Sequence, residues 1–403
     1  MKKNKLALSL MGALTALSFQ ASASDLDVTP TIINGEAVAL SEIPWQAKVR
    51  TVFERPDGEL VSFLCGGSII SDSIILSAAH CFEPESEDHE VVAVTISYYS
   101  KAESKIKYVG INTRNIKVHP RWNGSVKGLN DVSVIYESNS AFADAHKIKV
   151  GSSDDAASMW TEFNSTYVDG QDNKPNVLTS GYGLDETGAI EKLNKIYVSG
   201  VSSSYCDDWT DAHSFDMVES SICAVSPDYD FNQGICSGDS GGPLIWQNPN
   251  NSADEDFGLR LVGITSYSTV DEDKNCVMSN GGYSAYSSID YYGDWINEAA
   301  SDLTGEPFDY NDLDEDHDLD TNPVEDIDDN DPTNPDNGDT DNGTDGDGGD
   351  TDGDTGGDTG DGSDDGSSDN ANGSITKSGG SFGLFGLIMM FGLALTGRRK
   401  TQK

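Results

Sequence analysis

Three short segments carry residue types that could act together on a covalent bond. Gly238-Asp239-Ser240-Gly241-Gly242-Pro243 presents a serine between glycines. A serine hydroxyl is a weak nucleophile until a neighbouring base takes its proton. The charge that then develops on the attacked carbonyl needs backbone N–H groups aimed at it, and glycine lets the backbone approach a substrate closely. Alone, this pattern also fits a surface turn or the nucleophile elbow of an α/β fold. Leu76-Ser77-Ala78-Ala79-His80-Cys81 offers a base. The other histidines are His89, His119, His146, His213 and His317; His80 differs in being set between a run of small residues and a cysteine. Asn130-Asp131-Val132-Ser133-Val134-Ile135 brings a carboxylate into an apolar strand, where burial is costly unless it is hydrogen-bonded. A histidine N–H would satisfy it, and so would a turn that it caps.

The elements around these residues read as β-structure. From Ile32 to about Ala300 the chain alternates short apolar runs, such as Cys65–Ile70, Ile74–Ala79, Val91–Tyr99 and Leu261–Tyr267, with Gly, Asn, Asp and Pro. Many runs carry Val, Ile, Thr or Tyr, the pattern of an all-β sandwich or barrel. A helix is expected near Tyr291–Ala300. Asp302–Asn370 holds 27 of the 69 acidic residues and none of the 25 basic ones, so the rest of the chain carries only −17 of the formal −44. So polar a stretch cannot offset the entropy of ordering, which leaves one folded unit of about 270 residues, ample for a core. The acidic balance argues against nucleic acid and anionic membrane as partners. Lys2, Lys3 and Lys5, the apolar Leu6–Phe19 and Ala21-Ser22-Ala23 read as a signal peptide, residues 1–23, and export permits disulfides. Six cysteines (Cys65, Cys81, Cys206, Cys223, Cys236 and Cys276) fit three bridges in any of 15 pairings. None has zinc-finger spacing, so no structural metal is expected.

In combination the segments resemble the chymotrypsin/trypsin family of serine proteases over about two thirds of the chain. The matching stretches are Ile32-Ile33-Asn34-Gly35, Cys65-Gly66-Gly67-Ser68, the His80 and Asp131 segments, Ser180-Gly181-Tyr182-Gly183, the Ser240 segment, Ser266-Tyr267-Ser268 and Trp295-Ile296. The order His…Asp…Ser is that of chymotrypsin, not of subtilisin or the α/β-hydrolases. The resemblance implies an all-β fold of two six-stranded antiparallel β-barrels with a C-terminal helix, over residues 32–301, and the triad in the cleft between the barrels. It implies a secreted endopeptidase acting on protein or peptide substrates without a cofactor, with Ser240 as nucleophile, His80 as base and Asp131 orienting the base. It further implies oxyanion donors at Gly238 and Ser240, Ser266 beside Asp131 at the peptide-binding edge, and bridges Cys65–Cys81, Cys206–Cys223 and Cys236–Cys276. In the family a propeptide, here residues 24–31, is cut away. The new α-amino group, here of Ile32, then pairs with the aspartate before the nucleophile, here Asp239. Thr31 stands where trypsin-activated relatives carry Lys or Arg. The specificity pocket departs from trypsin too: its floor position is Gly234 rather than an aspartate, with Ile235 beside it and Ser268 and Gly281 as walls. An uncharged floor favours uncharged side chains at the cleaved residue. Asp271, Glu272 and Asp273, in a lengthened loop, could instead restore a preference for Lys or Arg.

Residues 302–377 read as a disordered acidic linker. Asp312, Asp314, Asp316, Asp318 and Asp320 alternate along it, as calcium-binding carboxylates can and as a self-repelling spacer also would. Residues 378–403 hold Gly379-Gly380, the apolar Phe382–Leu395 and the basic Arg398, Arg399 and Lys400. As a helix, Gly379–Gly397 would span about 28 Å, barely a bilayer core. This end resembles the C-terminal GlyGly sorting signal of Gram-negative bacteria, which implies transient membrane anchoring, sorting machinery and type II secretion as partners, and cell-surface or secreted localisation. A permanent inner-membrane anchor is the alternative. Two other function classes stay open: a catalytically dead binding module and a surface adhesion protein in which the tail matters most.

Overall fold

The computed structural model describes residues 32–83, 90–124, 129–182, 192–210, 219–272, 275–313, 317 and 319–324. The first half of the domain is a sheet of β2 (Gln46–Glu54), β3 (Leu60–Ile69), β4 (Ile74–Ser77), β5 (Glu90–Ser100), β6 (Lys105–Ile111), β7 (Ile116–Val118) and β8 (Ser133–Tyr136). Its order is β6-β5-β2-β3-β4-β8-β7. The second half contains β1 (Glu36–Val38), β9 (Val177–Gly181), β10 (Leu193–Gly200), β11 (Ser221–Val225), β12 (Pro243–Gln247), β13 (Leu259–Ser268) and β14 (Ser284–Ser288), ordered β1-β10-β11-β14-β13-β12-β9, with β9 also pairing β10. The pairings between these strands are antiparallel, as in β2 with β3, where Val49 faces Cys65 and Gln46 faces Ser68.

The two antiparallel barrels are present, but each sheet has seven strands rather than the six expected. In the second, six strands close a ring through β9 and β10, and β1 is an added edge strand on β10. In the first, a turn at Thr113–Asn115, where the Asn112 side chain accepts from the Arg114 N–H at 3.0 Å, separates β6 from β7. These pieces pair with β5 and β8 respectively, so one bent stretch touches both ends of the sheet. Buried residues such as Trp45, Ile75, Val134 and Phe142 fill one core, and Trp160, Phe163, Val198 and Trp246 fill the other.

Helix α3 (Ile289–Thr304) matches the expected C-terminal helix and ends at Gly305 with φ of 76°. A second long helix, α1 (Ser153–Thr166), was not anticipated. It opens with a capping box in which the Ser152 side chain accepts from the Asp155 N–H and the Asp155 carboxylate accepts from the Ser152 N–H, closing orphan donors at both ends of the motif.

The acidic linker does not begin at Asp302. The described residues between 305 and 324 fold back as a strap over the domain. Phe308 N–H donates to Ser301 Oγ at 2.8 Å and Tyr310 N–H to Asn297 Oδ1 at 3.0 Å. Leu319 N–H donates to the Glu255 carbonyl at 3.2 Å, and Tyr197 Oη donates to the Pro323 carbonyl at 2.7 Å. Tyr310 and Val324 are buried in the first core, and Phe308, Leu313 and Leu319 pack against it. A composition average dominated by aspartates hides these spaced apolar anchors. Asp314, Asp316 and Asp318, like the whole chain after Val324, lie outside the described residues. Among the described residues no helix is long and apolar enough to cross a membrane; Phe382–Leu395 is not among them. Removing a buried aromatic side chain costs about 3 kcal/mol. Tyr310→Ala should therefore lower the stability of the disulfide-intact chain by about that much in urea unfolding, whereas a free linker would leave it unchanged.

Candidate active site

His80 sits on a single 3₁₀ turn, Ala79–Cys81, directly after β4. Ala78 and Ala79 of the small-residue run are fully buried between β4 and the turn. The bridge Cys65–Cys81 fixes the turn to β3, and Cys206–Cys223 and Cys236–Cys276 are the other two pairs, as the resemblance implied. Asp131 lies just before β8 and is 1% exposed. The residue before it, Asn130, has φ of 62°, a conformation asparagine tolerates better than most residues. Its N–H donates to Tyr292 Oη of α3 at 2.9 Å.

Asp131 is held by both barrels. His80 Nδ1 lies 2.7 Å from Oδ2, and the His80 N–H donates to Oδ1 at 2.9 Å. Ser266 Oγ of β13 donates to Oδ2 at 2.6 Å, and Ser287 Oγ of β14 donates to the Asp131 carbonyl at 2.7 Å. Burial alone would raise this carboxyl. The His80 charge and the hydrogen bonds from His80 and Ser266 outweigh it and hold the group below the ordinary carboxylate range. The remaining face of His80 is partly exposed and lies beside Trp122, with ring centroids 6.5 Å apart. Trp122 and Ser287 were not expected at the site; neither belongs to a motif, and only the fold brings them here.

Ser240 is partly exposed on the tight turn before β12. Gly241 N–H donates to the Thr265 carbonyl at 2.7 Å, Gly242 N–H to the Asp239 carbonyl at 2.9 Å, and Gly66 N–H of the first barrel to the Ser240 carbonyl at 2.6 Å. A Cβ on Gly66 would stand 2.8 Å from Gly242 Cα, so this approach of the two barrels requires glycine. The same Ser240 carbonyl is 3.9 Å from Cys81 Sγ, the residue after His80. Gly238 has φ of 97°, which favours glycine. The N–H groups of Gly238 and Ser240 donate no hydrogen bond among the described residues. Asp239 is fully buried, with Oδ2 accepting from the Cys236 N–H at 3.0 Å. Ile32 is buried in the second core, and the Ile33 N–H donates to the Gly234 carbonyl at 2.7 Å. Ile32 and Asp239 thus flank the same 234–236 segment.

The specificity region differs from expectation in one position. Gly281 is exposed, with φ of 90° and no atom within 4 Å of a Cβ. It follows Asn280, at φ of 55°, and the two form a turn tip that carries Gly281 into solvent. The enclosed glycine is Gly282, where a Cβ would stand 1.9 Å from the Val277 carbonyl oxygen. Gly234 and Ile235 are buried, and Ser268 Oγ is 3.5 Å from Cys276 Sγ. An unanticipated side chain occupies the space over the floor: a Cβ on Gly234 would be 2.3 Å from Met278 Cγ. Met278 is buried with the Cys236–Cys276 bridge, and its thioether accepts from Ser284 Oγ at 3.3 Å. In the lengthened loop, both Asp271 carboxylate oxygens accept from Asn275, and Glu272 is exposed. Asp273 lies outside the described residues. Among the described residues, one metal-capable grouping includes His80, with Cys65 and Cys81. Their sulfurs are joined to each other and so are not thiolate ligands.

Residues 32–296 match the family described as Trypsin, and the chain belongs to that family: it is a serine-type endopeptidase. It is 27% identical over 275 residues to trypsin alpha of Drosophila melanogaster, covering 68% of this chain and 88% of that protein. Over 242 residues it is 28% identical to human chymotrypsin-like elastase family member 3B, covering 59% of this chain and 78% of that one.

The loop leading to Asp131 depends on a neutral histidine. His119 is buried against Tyr292 and Trp295 of α3, and its backbone N–H donates to the Val132 carbonyl at 3.0 Å. Burial, helped by the charge of Arg121, pushes its imidazole down to about 4 from 6.5. With the folded value depressed, the unfolded chain binds the extra proton in between, so stability falls as pH drops from about 6.5 to 4. In urea unfolding measured across that window, His119→Leu should lose less stability than the parent protein; equal losses would remove His119 from the account.

Proposed function

We propose that Ser240, His80 and Asp131 carry out acyl-enzyme hydrolysis of peptide bonds after uncharged, apolar side chains of moderate size, in an exported enzyme. The observation that carries this reading is the buried Asp131 carboxylate bonded to both the ring and the backbone of His80. With Asp131 accepting at Nδ1, the proton sits on that nitrogen and leaves Nε2 as the base. Ser240 attacks the scissile carbonyl as His80 takes its proton. The Gly238 and Ser240 N–H groups stabilise the oxyanion, His80 returns the proton to the leaving amine, and water repeats the sequence on the acyl-enzyme. Ser266 fixes the second lone-pair direction of Asp131 and so holds the imidazole in plane.

The preference at the cleaved residue is supported by Gly234 and Met278. A Lys or Arg entering over a thioether would be buried without a counter-ion, while Asp271 is already engaged in its own turn. Ser240→Ala should lower kcat by on the order of 10⁴-fold or more with the fold retained, and a serine-directed phosphonate should label the parent protein alone. Near-normal turnover in that variant would overturn Ser240 as the nucleophile, and a parent protein that neither turns over peptide nor takes the label would leave the binding-module reading in place. A peptide library should yield cleavage after small and medium apolar residues, with Met278→Ala admitting larger ones; cleavage after Lys or Arg would overturn the specificity.

Export, activation and sorting belong to the same reading. The basic-then-apolar start and three disulfides support export, the burial of Ile32 and Asp239 beside one segment supports cleavage after Thr31, and Gly379-Gly380 with the apolar and basic stretches supports removal of the end. Thr31 suits an activator unlike trypsin, this enzyme itself among the candidates. The intact mass of extracellular protein should correspond to a chain that begins at Ile32 and lacks Phe382–Leu395. An active form that begins at Ser24, or one that retains Arg398–Lys400, contradicts the respective step.

A further inference from the structure

The two ends of the folded domain meet at one buried cation. Lys195 of β10 is 5% exposed and takes no part in the proposed hydrolysis. Side chains alternate along a strand, so Leu193, Lys195 and Tyr197 share one face of β10. On that face Lys195 Nζ donates to the Pro323 carbonyl at 3.4 Å, and Tyr197 Oη donates to the same oxygen at 2.7 Å. The ammonium also lies 5.3 Å from the centroid of the Tyr197 ring and 4.0 Å from the Glu36 carboxylate of β1. Val324, the residue after Pro323, is buried in the same core as Leu193 and Tyr197. Burial would lower the Lys195 ammonium; Tyr197, Glu36 and Glu42 outweigh it and hold the group above the ordinary lysine value. A buried cation is tolerable only while such partners surround it. Here one partner comes from the strap, 128 residues further on, and another from the strand that opens the domain.

The backbone around Lys195 supports both partners of the activation ion pair. β1 is an edge strand of three residues, in which Glu36, Ala37 and Val38 pair with Lys195, Asn194 and Leu193. Just before it the chain packs tightly on itself and on β10: a Cβ on Gly35 would stand 2.3 Å from Ile32 Cγ2 and 2.9 Å from the Lys195 carbonyl oxygen. On the other edge of β10, Asn194 faces Gly181, where a Cβ would stand 2.0 Å from Asp239 Oδ1. Ile32 and Asp239 thus lean on β10 from its two edges, at Lys195 and Asn194.

We propose that Lys195 is a positioning residue through which the strap holds the activated N-terminus in place. The inference rests on the reading that Ile32 becomes that N-terminus, and adds that its insertion depends on the strap. With Pro323 seated, Lys195 stays charged between the strap and Glu36, and β1 stays paired up to the turn at Gly35. With Pro323 withdrawn, the ammonium loses one of its buried partners and draws towards water. β1 then keeps little beyond its three-residue ladder. The α-amino group of Ile32 leaves Asp239 more often, a local opening that needs no unfolding of either barrel.

The test uses the active form with its strap intact and follows reaction of the Ile32 α-amino group with cyanate, which reaches the amine only when it is out of its pocket. The mass of the N-terminal peptide reports the modification. Tyr197→Phe removes only the hydroxyl on Pro323, and the loss of one hydrogen bond shifts an equilibrium about fivefold. Modification should be about that much faster in Tyr197→Phe and about tenfold faster in Lys195→Met, which removes the cation, with turnover falling as the amine is blocked. Tyr310→Ala loosens the strap at α3 but leaves the Pro323 contacts, so it should change the rate less than about twofold although it costs more stability. Should Lys195→Met not fold, Tyr197→Phe carries the comparison. An unchanged rate in Tyr197→Phe, or rates that follow urea stability across the variants, overturns the link to the strap alone. An active parent that does not begin at Ile32, or that keeps full turnover once Ile32 is modified, overturns the activation step and the link with it.

Discussion

Asp131 is the point on which the two halves of the molecule agree. It belongs to the first barrel, yet two of its four hydrogen-bonding contacts come from β13 and β14 of the second. An ionised carboxylate stripped of water is tolerable only when its lone pairs are filled. Any displacement of one barrel against the other would empty at least one of those positions. The geometry of His80 is thus coupled to barrel packing, and barrel packing is steered by satisfaction of one buried charge. Ser240 is placed by a parallel device, the contact of Gly66 with Gly242 and the bond from the Gly66 N–H to the Ser240 carbonyl. Both halves of the proposed catalytic machinery are therefore set at the junction of the barrels rather than within either one.

Much of this was legible because chemistry constrains residue types over short spans. A glycine-flanked serine, a histidine before a cysteine and an aspartate entering an apolar strand are local patterns, and the fold brings the last two into hydrogen-bonding contact. Strands such as β3, β4, β5 and β13 followed from β-branched runs between turn residues. Helix α3 covers the stretch expected near Tyr291–Ala300 and extends it at both ends. Helix α1 was missed although Ser152 and Asp155 form a capping box, because an Asp at the third position is a weaker signal than the usual Glu or Gln.

The hidden part depends on distance in sequence. Ser287 reaches Asp131 across 156 residues, and Trp122 stands beside His80 with its Nε1–H donating to the Glu83 carbonyl just past the turn. Met278 meets Gly234 through the Cys236–Cys276 loop, which no spacing rule encodes. Gly281 was expected at the pocket wall for want of backbone information: no pattern states the positive φ of Asn280 and Gly281 that carries it to an exposed turn tip. The strap was misread because it was judged by average composition, whereas Tyr310 and Val324 act one at a time.

The strap also bears on the order in which the protein can be completed. A chain emerging from its N-terminus delivers β1 first and Val324 almost 300 residues later, yet Pro323 closes onto β10 beside β1. Both barrels and α3 can be assembled while the apolar surface destined for Tyr310, Leu319 and Val324 is still bare. The contacts of the strap, to α3, Glu255 and β10, can thus form only after those elements have been made. Any interruption of synthesis or cleavage in the span 305–324 leaves a molecule with its catalytic residues present and its outer seam open.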